Sequence, residues 1–244
     1  MSNSTDTLLQ RVRGIMPDLE IERFERDQEG LINDVLIVNK QFVFRFAKTE
    51  KYARLLDAEM KILDLIRPNI GISVPTPVYR GSDCVVYPLL SGQPLSRKLI
   101  SGFDETMKNS IAEQLGIFLY GLHTTEISNI GWELHVTRAP VKRQNWIDIR
   151  QRARDKIYPL LQKYQIQWAD DLFDSVLEDP ESSEYEPALI HGDLASYHIL
   201  FDDQTCKITG VIDFGMAGTG DPASDIGLLI NIYGESFVGR MRKS

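Results

Sequence analysis

The strongest constraint on the fold of this chain is a pair of carboxylates that follow short apolar runs near its carboxyl end. Asp193 comes shortly after the run 188–190, and Asp213 comes directly after the run 208–212. His198 lies between the two aspartates. Because strand ends hold side chains with little conformational slack, we expect these three side chains to converge on one cleft. A carboxylate that accepts a hydroxyl proton, together with two ligands for a divalent cation, meets the needs of phosphoryl transfer.

The same segment resembles the catalytic motifs of a known family, the aminoglycoside phosphotransferases with their macrolide-kinase and choline-kinase relatives. His-Gly-Asp at 191–193 with His-Ile-Leu at 198–200 is similar to the catalytic loop of that family. Ile-Asp-Phe-Gly at 212–215 is similar to its metal-binding segment. Protein kinases, which share the fold of this family, have asparagine where His198 stands. The resemblance covers about residues 25 to 230.

This resemblance implies a role for each residue of the motifs. Asp193 is expected to be the catalytic base that orients the acceptor hydroxyl, Asp213 the main Mg²⁺ ligand and His198 a second ligand. Magnesium prefers oxygen ligands, so a hydrogen-bonding role for His198 stays open beside the ligand role. His191 is expected to hold the loop in place.

The first part of the chain alternates strand-like runs with helical ones. The predicted elements are helices at 7–16 and 52–66 and strands at 21–26, 34–38, 41–47 and 84–89. Asn39-Lys40, between two β-branched and aromatic runs, is a pair suited to a hairpin turn. The helix at 52–66 is predicted from apolar residues that recur at helical spacing and stop before Pro68.

Beyond a loop at 91–94 the pattern becomes mainly helical. The predicted elements are helices at 105–123, 146–164 and 168–177 and strand-like runs at 188–190, 199–201 and 208–212. Asp221, followed by Pro222, is expected to cap a last helix, and Asp225 is expected to brace the catalytic loop. The two cysteines, Cys84 and Cys206, are far apart in sequence and are predicted to be small buried residues.

The fold class expected from these patterns and from the resemblance is α+β, a two-lobed protein-kinase-like fold. An N-terminal nucleotide-binding lobe, residues 1–91, is expected to hold an antiparallel sheet with a helix. A shortened, mainly helical C-terminal catalytic lobe is expected at residues 92–244.

A kinase of this fold needs a cation on its third strand and an acidic partner for that cation. Alternation along the strand places Arg45 on the face opposite the phenylalanines of the run 41–47, toward the cleft. Glu59, in the helix that follows, is the expected ion-pair partner of Arg45. Lys48 is the competing candidate for the phosphate cation, although alternation places it with the phenylalanines.

The remaining nucleotide contacts are predicted from one loop and one strand end. Gly30 and Asn33 resemble a short phosphate cover, since glycine allows close backbone approach and asparagine donates a hydrogen bond. Backbone groups at Pro88 and Leu90 are expected to form hydrogen bonds with the base of the nucleotide. The expected cofactors are ATP or GTP and Mg²⁺, and the residues leave the choice between the two nucleotides open.

The net charge and the hydropathy of the chain limit the classes of partner that it is expected to bind. The net charge is −8, and the basic residues form no cluster, so nucleic acid is not an expected partner. No run approaches the ~18 apolar residues of a membrane span, and the amino terminus lacks the apolar core of a signal peptide. A membrane is therefore not an expected partner, and the expected location is the cytoplasm.

The expected acceptor is a hydroxyl of a small molecule, most of all an aminoglycoside-type antibiotic. The segment 168–187 contains eight acidic residues and no lysine or arginine, which either attracts such a polycation or forms a solvated acidic surface. A metabolite kinase acting on choline, thiamine or a sugar, a macrolide kinase, and a nucleotide-binding pseudokinase or interaction protein remain alternatives.

The carboxyl end departs from the family pattern. The chain stops 31 residues after Asp213, whereas relatives continue with helices that complete the acceptor pocket. We therefore expect apolar surface around Ile226, Leu229, Ile230 and Phe237 to be uncovered, with Leu228 and Ile232 beside it. Such a surface predicts self-association through this face or an open acceptor site.

Overall fold

A computed structural model describes residues 4–27, 31–126, 143–178 and 185–243. The helices within these ranges are α1 Thr5–Ile15, α2 Glu50–Ile66, α3 Arg97–Ser101, α4 Glu105–His123, α5 Arg143–Lys156, α6 Lys163–Leu177, α7 Ala223–Tyr233 and α8 Glu235–Val238. The strands are β1 Phe24–Asp27, β2 Asn33–Val38, β3 Phe42–Ala47, β4 Tyr79–Arg80, β5 Cys84–Pro88, β6 Gln93–Pro94, β7 Ala188–Ile190, β8 Ile199–Asp202, β9 Lys207–Val211 and β10 Gly218–Gly220. None of the described helices combines the length and the apolar character that crossing a membrane requires.

The amino-terminal half is built on an antiparallel sheet with the strand order β1-β2-β3-β5-β4. The predicted hairpin of β2 and β3 is confirmed, and Asn39 and Lys40 have φ angles of 57° and 53°, as a two-residue turn of this hand requires. The first strand begins at Phe24, so the predicted start at residue 21 is wrong. Asn39 explains the difference, because its side chain binds the backbone of Glu20, Glu22 and Arg23 in place of a strand partner.

The two faces of this sheet pack against different helices. Phe44 and Phe46 pack in a cluster with Leu8 and Val12 of α1. Val43 and Ala47 face the other way, into the main core that contains the buried side of α2. The predicted alternation along β3 is therefore confirmed, and it turns Arg45 toward the face that bears the cleft.

The carboxyl-terminal half is mainly helical, and α4 has the predicted bounds. The predicted helix at 146–164 is wrong, since α5 ends at Lys156 and a short 3₁₀ turn, Tyr158–Leu160, follows it. Pro159 accounts for the break because it lacks an N–H and disfavours helical geometry in the residue before it. A new helix, α6, then begins at Lys163 behind a capping box of Gln162 and Gln165.

Two small sheets complete this half. Strands β6, β8 and β9 form one of them, and β7 pairs with β10 in the other. Because β6 pairs with β8, the chain from Gln93 onward packs with the carboxyl-terminal elements. The molecule thus has the two-lobed kinase-like architecture expected from its sequence, while the exact boundary between residues 91 and 92 stays a prediction.

Gly121 allows α4 to lie directly against the chain that follows α2. A Cβ at this position would overlap the carbonyl oxygen of Asn69, a backbone atom that cannot rotate away. We expect Gly121→Ala to lower the free energy of unfolding by about 1–3 kcal/mol, as overpacking does. Gly227→Ala in α7 is the matched control, because nothing lies within 4 Å of its added Cβ. Urea unfolding should show that Gly227→Ala raises the free energy of unfolding by up to about 1 kcal/mol. Equal effects of the two variants would contradict this account.

Candidate active site

The loop between β7 and β8 is held from below by one buried carboxylate. Asp225 of α7 is fully buried and accepts hydrogen bonds from the backbone N–H groups of His191 and Gly192, both at 2.9 Å. His123 of α4 binds the same carboxylate at 3.0 Å. Burial acts to raise the pKa of Asp225, but the hydrogen bonds from His123 and the two N–H groups hold it below its ordinary value. The expected bracing by Asp225 is thus present in the structure.

His191 joins this loop to the strand that leads to Asp213. Its Nε2 lies 3.1 Å from the carbonyl oxygen of Ile212, and its Nδ1 accepts the backbone N–H of Asp193 at 3.3 Å. Burial lowers the pKa of His191, so the ring is neutral and carries its proton on Nε2. The two segments that bear the aspartates are therefore fixed to each other through one imidazole.

The structure brings Asp193, His198 and Asp213 together. The Nδ1 atom of His198 donates to the carbonyl oxygen of Asp193 at 2.8 Å and lies 3.9 Å from the Oδ2 atom of its side chain. The Nε2 atom of the same ring lies 3.4 Å from the Oδ2 atom of Asp213. His198 is buried, whereas the side chains of the two aspartates are 44% and 49% exposed. Both carboxylates thus face the open cleft across a fixed imidazole ring.

The donor set between His198 and Asp213 fits a divalent cation. Because Nδ1 donates to the Asp193 carbonyl, Nε2 is the ring nitrogen that faces the Asp213 carboxylate. These two atoms offer a divalent cation one nitrogen ligand and one oxygen ligand. Across the ranges that the structure describes, no group of three or more His, Cys, Asp or Glu side chains is placed to hold a metal. Phosphate oxygens and water would supply the other ligands, as is common for Mg²⁺.

Asp213 itself has an unusual backbone. Its φ of 64° lies in the left-handed region, where aspartate and asparagine occur more often than other residues with a Cβ. Phe214 beside it is buried, with its ring centroid 4.5 Å from that of His191. The turn therefore lifts the Asp213 carboxylate into the cleft while the next residue anchors the segment in the core.

The amino-terminal half contributes a buried ion pair to the same cleft. Arg45 Nη1 lies 2.6 Å from Glu59 Oε1, and both residues are buried. Burial acts to lower the pKa of Arg45, but the charge and hydrogen bond of Glu59 raise it above its ordinary value. Burial raises the pKa of Glu59, and Arg45 limits that rise. Glu59 Oε2 lies 3.8 Å from the position that a Cβ at Gly215 would take, so the ion pair lies beside the Asp213 segment.

The other predicted nucleotide contacts lie around the edge of the sheet. Asn33 begins β2 and is 4% exposed, and its Oδ1 atom is buried without a hydrogen-bond partner. Pro88 ends β5, and the Leu90 side chain lies over Gly210 of β9. Gly30 lies outside the described residues. None of these three described positions contacts the aspartates in the structure, so their roles stay predictions.

Part of the acidic segment before the catalytic loop is neutralised within the molecule. Asp170 of α6 accepts hydrogen bonds from Arg150 and Arg154 of α5 and from Tyr158. Asp174 pairs with Arg150 at 2.6 Å. These hydrogen bonds lower the pKa of Asp170 to about 2. Two of the eight acidic residues thus stabilise the packing of α5 on α6, which favours the structural interpretation for this part of the segment.

The apolar residues near the carboxyl end are only partly uncovered. Leu229 and Phe237 are buried, contrary to expectation, because α8 and the following turn Gly239–Lys243 pack on α4 and α7 packs on α8. Ile230 is 36% exposed and lines a cavity of about 530 Å³ with Tyr120 and Val238. Self-association through this apolar face stays a prediction.

Cys206 is half-buried, so the prediction that it is a buried residue is wrong.

Sequence patterns do not identify two residues of the site. Tyr87 of β5 is buried and lies on the same face of the sheet as Arg45. Its alternation with Val85 along β5 indicates the face it occupies, but not the residues beside it. His123 ends α4, and the aspartate that it binds is 102 residues away in the chain. No periodic pattern signals a contact of that kind.

We expect Asp225→Asn to loosen the catalytic loop and to lower the free energy of unfolding by about 1–3 kcal/mol, because an amide leaves buried donors unpaired. The folded pKa of Asp225 lies below its ordinary value of 3.8. The stability that this carboxylate contributes is therefore complete above pH 4 and is lost as the pH falls through the folded value. Urea unfolding between pH 2 and 7 should show a shallower acid dependence in the variant. An unchanged dependence would contradict the bracing role.

Comparison with protein families and with known proteins adds an independent line of evidence. A family model described as the phosphotransferase enzyme family, APH, matches residues 23–244. The protein YcbJ of Bacillus subtilis (strain 168) is 27% identical over 214 residues, which are 82% of this chain and 66% of that protein. Viomycin phosphotransferase of Streptomyces vinaceus is 26% identical over 225 residues, which are 87% of this chain and 75% of that protein. The chain thus spans only about two thirds to three quarters of these relatives.

Among solved structures, the GDP and kanamycin complex of APH(2″)-IIIa is similar over nearly the whole chain. The two are 28% identical and superpose with a TM-score of 0.85, over 96% of this chain and 81% of the other. The macrolide 2′-phosphotransferase type I superposes with a TM-score of 0.74 at 21% identity, a similarity of fold.

Proposed function

Because the chain belongs to the phosphotransferase enzyme family, we propose that it transfers the γ-phosphate of ATP or GTP to a hydroxyl of a small molecule, an aminoglycoside-type antibiotic. The observation that carries this proposal is the contact of one imidazole, that of His198, with both cleft aspartates. That contact supplies a proton acceptor and a metal-binding pair within one site. Arg45 and Glu59 add a cation on the side from which phosphate groups enter.

In the proposed reaction Asp193 orients the acceptor hydroxyl and accepts its proton. The hydroxyl oxygen forms a bond to the γ-phosphorus as the bond from that phosphorus to the β-phosphate bridging oxygen breaks, and the nucleoside diphosphate leaves. Asp213 and His198 would hold Mg²⁺, which supplies neutralisation of the phosphate charge. Arg45, held by Glu59, binds the phosphate groups.

Residues at the edge of the sheet are proposed to bind the base of the nucleotide and to cover its phosphates. Backbone groups at Pro88 and Leu90 pair with the base, and Gly30 and Asn33 cover the phosphates. In this assignment the amide NH₂ group of Asn33 donates to the phosphate oxygens, since its Oδ1 atom can only accept. We place the boundary between a nucleotide-binding lobe and a catalytic lobe at residues 91 and 92.

The acceptor class rests on the relatives and on charge. Viomycin phosphotransferase and the GDP and kanamycin complex of APH(2″)-IIIa associate the family with antibiotic acceptors. A net charge of −8 also attracts a cationic acceptor. Both observations favour a cationic antibiotic over a neutral alcohol.

A phosphotransfer screen tests the proposal. The full chain is incubated with ATP or GTP, Mg²⁺ and aminoglycosides, macrolides or metabolite alcohols, and the phosphorylated products are detected by mass spectrometry. We expect transfer to at least one aminoglycoside. Transfer only to a macrolide or to choline, thiamine or a sugar would reassign the acceptor. Nucleotide binding without any transfer would identify a pseudokinase.

Variants of His198 separate a metal ligand from a structural residue. Asparagine offers an oxygen where protein kinases use one, so His198→Asn should keep activity within about tenfold of the wild type. His198→Leu, which fills similar space without a ligand atom, should lose at least about 100-fold in kcat. Steady-state kinetics at several Mg²⁺ concentrations measures both. If the two variants behave alike, the role of His198 is structural.

A further inference from the structure

Tyr197 places an exposed aromatic ring beside the aspartates of the cleft. It lies in the short 3₁₀ turn Ser196–His198, which ends the catalytic loop. Its ring centroid lies 4.4 Å from that of His198, whose two nitrogen atoms face Asp193 and Asp213. Tyr197 is nevertheless 59% exposed. The ring therefore borders the pair of aspartates and leaves a large surface accessible to a ligand.

The position of this ring is fixed by the hydrogen bonds of the loop. The carbonyl oxygen of Asp193 accepts the backbone N–H of Ala195 and the Nδ1–H of His198, both at 2.8 Å. The backbone N–H of His198 donates to the carbonyl oxygen of Ala195 at 2.9 Å. These bonds close the stretch from Asp193 to His198 into a compact turn. The turn holds the Tyr197 ring close to the carboxylate of the proposed base.

At least one face of the Tyr197 ring is not covered by His198. The planes of the two rings lie at 77° to each other, which is an edge-to-face arrangement. In such a pair the phenol ring is in contact either through its edge or through only one of its faces. A second group can therefore pack on the free face without displacing the imidazole that lies between the two aspartates.

The chemistry around the free face favours a cation. The face of an aromatic ring is electron-rich and attracts ammonium groups. The side chains of Asp193 and Asp213, 44% and 49% exposed, add negative charge beside it. Since one imidazole contacts both Asp193 and Tyr197, an acceptor that extends beyond a single ring from its reacting hydroxyl meets the phenol. An aminoglycoside, which has several linked rings with amino groups, fits this arrangement.

We propose that Tyr197 is a specificity-determining residue for the acceptor: the free face of its ring binds an ammonium-bearing ring beside the hydroxyl that Asp193 orients. This inference rests on the proposed function, because it requires an acceptor in the cleft. It gives Tyr197 no contact with the nucleotide or the metal. A tyrosine that only supported His198 would instead affect metal and nucleotide binding, so the two roles have different kinetic signatures.

The test separates use of the acceptor from use of the nucleotide. Steady-state kinetics of the full chain is measured with GTP or ATP, Mg²⁺, and kanamycin, gentamicin or neomycin as acceptor. We expect Tyr197→Leu to raise the acceptor KM about tenfold, equivalent to about 1.4 kcal/mol. Its kcat should stay within threefold of the wild type, and its nucleotide KM within twofold. Phe24→Leu, which removes an exposed aromatic ring from β1, is the matched control and should change none of these values.

Two aromatic replacements identify the part of the side chain that binds. Tyr197→Phe and Tyr197→Trp keep a ring face, so both should keep the acceptor KM within threefold of the wild type. A loss in Tyr197→Phe equal to that in Tyr197→Leu would assign the contact to the hydroxyl and overturn the proposal. An unchanged acceptor KM in Tyr197→Leu would overturn it as well, and so would a loss confined to nucleotide affinity and its Mg²⁺ dependence. A wild-type chain that phosphorylates none of the three aminoglycosides would refute the proposed function and this inference with it, a result that is read from the wild type alone.

Discussion

Asp213→Ala is expected to weaken magnesium-dependent nucleotide binding at least about 100-fold and to remove phosphotransfer, since a metal that neutralises phosphate charge is worth several kcal/mol. The reason lies in the geometry of the carboxylates. Asp213 faces the His198 Nε2 atom at 3.4 Å and is half exposed to the cleft. Glu59, another nearby carboxylate, is buried and paired with Arg45. It is therefore not placed to substitute for the lost ligand.

The experiment is isothermal titration with GTP or ATP in Mg²⁺ and in EDTA. Asp213→Asn is the second variant, because asparagine accepts the positive φ of 64° and keeps the turn intact. Asp57→Ala, which removes an exposed carboxylate of α2 that pairs with Lys61, is the control and should bind like the wild type. Unchanged Mg²⁺-dependent affinity in a folded Asp213 variant would refute the assignment of the metal site.

Asp193→Asn is expected to lower kcat by about 100- to 10,000-fold, the range of a lost general base. Nucleotide affinity should stay within twofold of the wild type. The loop is held through backbone atoms of Asp193, whose N–H binds His191 and whose carbonyl binds His198, and asparagine keeps both contacts. The side chain itself is 44% exposed and lies toward the cleft. The variant thus removes the proton acceptor and leaves its support.

Single-turnover kinetics with saturating nucleotide and acceptor measures this loss. Asp203→Asn, an exposed carboxylate in the turn between β8 and β9, serves as the control variant and should keep the wild-type rate. A kcat within threefold of the wild type for Asp193→Asn would show that another group takes the proton. The opposite responses of the Asp193 and Asp213 variants, in turnover and in binding, would separate the two carboxylates by role.

Much of the site follows from local patterns that a sequence displays directly. The spacing of Asp193, His198 and Asp213 behind apolar runs predicts their convergence, and the three side chains do meet. Alternation along β3 predicts the face of Arg45, and helical spacing places Glu59 on the helix behind it. The period of the apolar residues, the turn residues and the strand ends are local properties, so each segment of the sequence carries the information on its own structure.

Other parts of the site are decided by which elements pack together. Asn39 binds the chain before β1 and shortens that strand, and Pro159 divides a helix that apolar spacing alone extends. His123 reaches Asp225 across a gap of 102 residues in the chain. Periodicity carries no signal for such a pair.

Local patterns and the motifs establish the kinase-like class, the order of the motifs and the residue types that meet in the cleft. How those residues are held follows from the packing of distant elements: His198 lies between two aspartates, Asp225 lies beneath the catalytic loop, and Arg45 pairs with Glu59. These arrangements need the whole fold because the direction of a buried polar group depends on every donor and acceptor around it. Those partners come from separate strands and helices, whose approach is set by packing of the whole core.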